Sequence, residues 1–173
     1  MADKIKVLIS EEEVNQKICD LGAQISRDYE GQSVHLICIL KGGAFFLCEL
    51  AKHITVPVTI DFMAVSSYGD GTESSGRVKI IKDLDDNIAG KNVIIVEDIV
   101  DSGRTLKNLI TILEQRNPNS IKVAALLDKP DRREFEIDIA YLCHQIPDLY
   151  VVGYGLDYAQ KYRNLPFIGY MEA

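Results

Sequence analysis

The sequence predicts an α/β fold: an open, twisted, mainly parallel sheet flanked by helices on both faces. Three observations predict it. Short continuous apolar runs alternate with stretches of helical period through the middle of the chain. The run Val93-Ile94-Ile95-Val96 ends in Glu97-Asp98, and Asp101-Ser102-Gly103-Arg104-Thr105 then opens an amphipathic helix. Lys41, Asp98 with Asp101, and Lys129 each fall just past an apolar run. In open parallel sheets ligands gather at the carboxyl ends of strands, so these residues mark one candidate rim.

The elements follow in order. Ser10 and Glu13 have capping-box spacing, and Val14, Ile18, Leu21 and Ile25 recur at helical intervals, so a helix runs from Ser10 to Tyr29 and Gly31 closes it. Val34 to Leu40 reads as a buried strand, broken by Lys41-Gly42-Gly43 before a helix from Ala44 to His53. Pro57 precedes a strand from Val58 to Val65. Residues 66–76 are small, polar and glycine-rich with no apolar period, the composition of a mobile loop. Strands follow at Arg77 to Leu84 and Asn92 to Val96, joined by a turn at Ile88 to Lys91. Leu106, Leu109, Ile110 and Leu113 form the buried stripe of a helix that Asn117-Pro118 ends. Further strands are expected at Ile121 to Leu127, Ile137 to Leu142, Tyr150 to Tyr154 and Phe167 to Tyr170. With right-handed crossovers, these build one domain over residues 1–173.

The bulk numbers narrow the class. A chain of 173 residues, 47% hydrophobic and 26% charged, has the balance of a soluble globular domain with a substantial core. The formal net charge of −7 argues against nucleic-acid or anionic-membrane partners. No signal-like or bilayer-length apolar run occurs, and a cytoplasmic location is expected. Cys19, Cys38, Cys48 and Cys143 stand singly among apolar neighbours, as reduced thiols do.

The chemistry lies in the strand ends. Paired carboxylates such as Glu97 and Asp98 suit vicinal hydroxyls or a divalent cation, although neighbours on a strand point to opposite faces unless it turns. Asp101 to Thr105 forms an anion cradle: Gly103 admits close backbone approach, and Ser102, Thr105 and successive N–H groups surround a phosphate at a helix start. Lys41-Gly42-Gly43 is a second anion element of the same strand-to-helix kind. A fixed ammonium at Lys129 suits a ligand carbonyl. Tyr150 is open between core packing and stacking on a planar base, and Asp157 between capping a turn and ligating a cation.

On Val93 to Leu106, Ser66-Ser67-Tyr68-Gly69 and Val151 to Tyr158, the chain resembles the hypoxanthine-guanine phosphoribosyltransferases, type I phosphoribosyltransferases, in their short bacterial form. That resemblance implies a hood built from the chain termini. It implies transfer of the phosphoribosyl group of 5-phosphoribosyl-1-pyrophosphate (PRPP) to N9 of a 6-oxopurine, with one or two Mg²⁺ ions, in a homodimer or homotetramer. It further implies Asp101 as general base near purine N7, with Glu97 and Asp98 on the ribose hydroxyls and Ser102, Gly103, Arg104 and Thr105 on the 5′-phosphate. Pyrophosphate falls to Lys41, Gly42, Gly43 and Arg163, with a non-proline cis peptide after Leu40. Lys129 would select the 6-oxygen, Tyr150 would stack on the base, and the Val151 backbone would meet its 2-position. Asp157 would take a second metal ion, Glu97 and Asp98 would be further metal ligands, and Ser67 and Tyr68 would ride on a closing loop. Many relatives have threonine or lysine where this chain has Ser102 or Arg104, changes that keep the hydroxyl and the charge.

Three rivals compete. An RNA-binding regulator of the same fold calls for a basic face, which a charge of −7 does not offer. A phosphorylated signalling receiver also places an acid and a lysine at strand ends, without an acid pair leading into a Ser-Gly-Arg-Thr loop. A phosphoribosyltransferase for another base, or a xanthine-preferring one, differs only in the base pocket. Lys129 with the Tyr150–Asp157 segment favours oxopurines.

Overall fold

Ser10 begins the helical part of the chain with the expected capping box. Its hydroxyl accepts the Glu13 N–H while the Glu13 carboxylate accepts the Ser10 N–H. Such a cap is worth about 1 kcal/mol. The helix it starts, α1, spans Glu11–Asp28 and buries Val14, Ile18, Leu21 and Ile25. The structure is a computed structural model that describes residues 4–67 and 78–172. The expected loop at 66–76, with Tyr68 and the side chain of Ser67, falls almost wholly outside the described residues.

The central sheet has six strands: β2 (Val34–Ile39), β3 (Val58–Ser67), β4 (Val78–Lys82), β5 (Asn92–Val100), β6 (Ser120–Asp128) and β7 (Tyr141–Gln145). Their order is β4-β3-β2-β5-β6-β7. Only the β3–β4 pair is antiparallel. Leu36, Cys38, Ile94 and Val96 face α1 and α2 (Ala44–Lys52), whereas Ile37, Ile39, Val93 and Ile95 face α3 (Arg104–Glu114). This alternation is why the strands read as unbroken apolar runs: both faces are covered. Leu106, Leu109 and Leu113 of α3 are buried, each contributing roughly 1.5–3 kcal/mol of transfer free energy.

A second sheet, ordered β1-β9-β8, joins the chain ends into the expected hood. It pairs β1 (Ile5–Ile9) with β9 (Ile168–Met171), and β9 with β8 (Val151–Val152). The sequence reading missed β1. Three expected strands also change. β5 runs past the acids to Val100, because its ladder with β6 continues through Val100↔Asp128 and uses only backbone groups. β7 starts at Tyr141 rather than Ile137. Ile137 and Ile139 instead cover the α3 side of the core, and Ile137 lies against Gly103. The segment 150–154 yields only the two residues of β8, since Gly153, Tyr154 and Gly155 turn the chain with φ of 96°, 51° and 100°. The four cysteines are free thiols.

Candidate active site

β2, β5 and β6 are parallel neighbours, so the segments after them leave from one edge of the sheet. A cavity of about 350 Å³ opens there, lined by Glu97, Asp101, Ser102, Gly103 and Thr105. Gly103 is the N-cap of α3 at φ 80°, and no side chain of its own caps the helix. A Cβ on it would fall 2.8 Å from the Phe135 carbonyl oxygen. The open helix start offers N–H groups and the positive end of the helix dipole to an anion.

The cradle is braced from behind. The Ser102 carbonyl accepts the N–H groups of Glu134 (3.0 Å) and Phe135 (3.1 Å). Arg133 is ion-paired with the buried carboxylate of Asp128, and its Nε donates to the Asp101 carbonyl at 3.1 Å. Arg104 reaches outward, pairing with Glu134 and lying over the Phe135 ring. Its guanidinium therefore engages the bracing segment, while its backbone N–H donates to Ser102 Oγ.

Glu97 and Asp98 do not form a side-by-side clamp. Glu97 follows Ile95 onto the α3 face and lines the cavity. Asp98 turns toward the loop that enters α2, and a Cβ on Gly42 would fall 1.6 Å from its Oδ2. Burial, reinforced by the Asp98 charge, holds the Glu97 carboxyl well above the ordinary carboxylate range. Burial also raises that of Asp98, against lowering by the Ile99 N–H and by Arg163. No described group donates a hydrogen bond to the Glu97 carboxylate, the situation of an anion that a cation or hydroxyl would satisfy. Among the described residues no three acids, histidines or cysteines gather as a metal cage, so Glu97, Asp98 and Asp157 are not one ligand set.

The Lys41-Gly42-Gly43 loop, the expected second anion element, leads from the end of β2 into α2. The Leu40–Lys41 peptide is cis. Gly155 packs on the Gly42 carbonyl so tightly that a Cβ would approach to 2.1 Å. Lys41 Nζ and Arg163 Nη2 both donate to Gln160 Oε1, each at 3.3 Å. Two cations from distant parts of the chain thus meet on one amide oxygen, near Asp98. Asp157 caps this turn: it accepts the Gln160 N–H at 2.7 Å and pairs with Arg163 at 2.9 Å.

Lys129 is buried to 8% exposure, and its N–H donates to the Val100 carbonyl at the end of β5. Its Nζ reaches Asp148 at 3.4 Å. Arg132, which ends a 3₁₀ turn at Pro130–Arg132, bridges Asp148 and Asp101. Tyr150 is not core: it is 56% exposed, meets Tyr158 edge-on and donates to the Asp157 carbonyl. Val151 is buried in β8 beside it. Sequence reasoning missed Arg132, Arg133, Asp148 and Gln160. The adjacent basic pair Arg132-Arg133, one residue past Lys129-Pro130, was a usable signal for the first two.

A parallel sheet with a phosphate-type helix start, two acids at the end of its central strand and a cation-bearing loop beside them is the architecture of a phosphoribosyltransferase. The chain belongs to the phosphoribosyl transferase domain family, whose model matches residues 9–159. Within that family it is similar to the hypoxanthine-guanine phosphoribosyltransferases of Streptococcus agalactiae and Streptococcus mutans. The identities are 53% and 51%, each over 96% of this chain and 93% of the relative. The crystal structure of the Bacillus anthracis hypoxanthine-guanine phosphoribosyltransferase superposes with a TM-score of 0.93 at 50% identity, covering 96% of this chain and 99% of that one. A Trypanosoma cruzi hypoxanthine phosphoribosyl transferase does so with a TM-score of 0.93 at 37% identity, covering 99% and 93%.

Proposed function

We propose that the chain is a purine-salvage enzyme that transfers the 5-phosphoribosyl group of PRPP to N9 of hypoxanthine or guanine, giving IMP or GMP and pyrophosphate. The observation that carries this reading is the meeting of three elements on one rim: the open start of α3, the Lys41–Arg163 pair and the buried Lys129.

Each element has a task. The α3 start, with Ser102 and Thr105, takes the 5′-phosphate. Lys41 and Arg163 exchange the Gln160 amide oxygen for pyrophosphate, and Gly42 and Gly43 let the backbone come near it. Glu97 and Asp98, on opposite sides of β5, approach the ribose hydroxyls from two sides. Asp101 accepts the proton the purine loses as its N9 bonds to C1. Lys129 donates to the purine 6-oxygen, Tyr150 offers its exposed ring to the base, and the Val151 backbone meets the 2-position. Members of this family use Mg²⁺ with PRPP, and the donor-free carboxylate of Glu97 fits a cation. Glu97 on the α3 face, or Asp98 with Asp157 on the other side of β5, would each hold such an ion singly, sharing it with substrate oxygens and water as this ion prefers. When bound it neutralises charge developing on the departing pyrophosphate.

No helix among the described residues is long and apolar enough to cross a membrane, in keeping with a cytoplasmic enzyme. Ile60 and Ile81 expose 43% and 67% of their surface on neighbouring strands, which suits a dimer or tetramer. The test is a radiolabelled-base assay with PRPP and Mg²⁺ on hypoxanthine, guanine, xanthine, adenine and uracil. Hypoxanthine and guanine are converted to nucleotides while adenine and uracil are not. Dominant use of xanthine would make this a xanthine enzyme, and binding of PRPP without turnover of any base would make it a regulator.

A further inference from the structure

Asp101 is already occupied in the structure. Arg132 Nε donates to Asp101 Oδ1 at 3.1 Å, and Arg132 Nη1 reaches Asp148 Oδ2 at 3.4 Å. The other Asp148 oxygen takes Lys129 Nζ at 3.4 Å. Four alternating charges, Asp101–Arg132–Asp148–Lys129, therefore close the space between the carboxylate assigned to the purine proton and the ammonium assigned to the purine oxygen.

The members differ in how firmly they are held. Lys129 is nearly buried. Arg133, the next residue after Arg132, is locked by Asp128 and the Asp101 carbonyl. Arg132 is different: its side chain is 53% exposed, and the bonds it makes at the site are to the Asp101 and Asp148 carboxylates alone. It is the member able to swing out at small cost. The flanking acids strengthen its hold on its proton, so it stays cationic throughout.

A carboxylate cannot take up a proton while a guanidinium keeps its hydrogen bond to the same oxygen without leaving a cation facing a neutral acid. We propose that Arg132 is a positioning residue that guards Asp101. In the free enzyme it satisfies Asp101 and Asp148 together, and binding of the 6-oxopurine requires it to release Asp101 and remain on Asp148 alone. This rests on the reading of Asp101 as the group that faces the purine.

An ion pair this exposed is weak, with up to roughly a five-fold effect on binding. Arg132→Gln therefore lowers the KM for hypoxanthine about 2- to 5-fold at saturating PRPP and leaves the KM for PRPP in place. In the parent enzyme, added KCl lowers the hypoxanthine KM by screening the pair, and in Arg132→Gln that dependence disappears. A purely structural arginine would not produce this split or its salt signature. An unchanged or raised hypoxanthine KM, or a fall in kcat, in Arg132→Gln overturns the proposal. Absence of nucleotide formation by the parent enzyme would instead overturn the functional reading beneath it.

Discussion

Asp98 occupies the space into which any side chain at position 42 would have to grow: a Cβ on Gly42 would lie 1.6 Å from Asp98 Oδ2. The loop after β2 and the acid on β5 are therefore fitted to one another, and neither can shift alone. Gly155 also packs on this loop, so closely that a Cβ on it would lie 2.1 Å from the Gly42 carbonyl oxygen.

Gly42→Ala must displace either the Lys41 loop or the Asp98 carboxylate. A misplacement near 1 Å at a reacting site costs on the order of 10²-fold, and the loss here should reach that size, expressed in kcat/KM for PRPP. The loop lies at the rim and not in the core, so the melting temperature should fall by only a few degrees. Steady-state kinetics with a thermal melt of the same preparation checks both.

The site was legible wherever a strand run stopped abruptly against polar residues. Lys41, Asp101 to Thr105 and Lys129 stand out because both faces of the sheet are buried, which makes every interior strand an apolar run with a sharp end. Long-range fits were not legible. Nothing local to Gln160 signals that it takes Lys41 and Arg163 together, and nothing local to Asp148 signals its link to Lys129 and Arg132. β1 was missed because its Ile5-Val7-Ile9 alternation is short and only Ile9 is buried. Its partner β9 lies at the far end of the chain. The pattern did expose the opposite-face rule for Glu97 and Asp98, which outweighed the idea of a paired clamp.

Glu97→Gln separates stability from function. The carboxyl of Glu97 is held above its ordinary 4.5 by burial and by Asp98. The folded state therefore binds a proton that the unfolded chain releases, and ligand-free stability falls as pH rises from about 4.5 through the raised value. Near neutral pH the neutral variant escapes that penalty. Without Mg²⁺ and PRPP it should be more stable by about 1 kcal/mol, or roughly 2–4 °C in Tm for a chain of this size, while losing activity. Below pH 4.5 the advantage vanishes. Melts across pH would contradict this if the variant were the less stable protein at neutral pH.

Asp101→Asn preserves the size of the side chain and removes its basicity. Arg133 holds the Asp101 carbonyl, and Phe135 and Glu134 hold Ser102, so the cradle keeps its shape. Nucleotide formation should slow by roughly 10²–10⁴-fold, the range for loss of a general base, with PRPP affinity retained in a direct binding measurement. Parent-like turnover would remove the proton-accepting role.

On the proposed reading, Lys129 is the residue that decides between purines. An ammonium nearly out of reach of water can donate to a 6-oxo group but has nothing to offer a 6-amino group, which presents hydrogens of its own. Binding adenine would thus leave two donors facing each other and a buried charge unsatisfied. A hydrogen bond to a charged group is worth about 1.5–3 kcal/mol, so Lys129→Ala should cut kcat/KM for hypoxanthine by roughly 10- to 150-fold. The rate with adenine, already low, should fall far less or rise, narrowing the preference by a similar factor. Asp148 retains Arg132 as a partner in this variant, so the change reports on the ammonium more than on a stranded carboxylate. Competition between labelled hypoxanthine and adenine for limiting PRPP measures the ratio directly. A preference as steep as that of the parent would place oxopurine selection elsewhere, with the β8 backbone around Val151 the next element to probe.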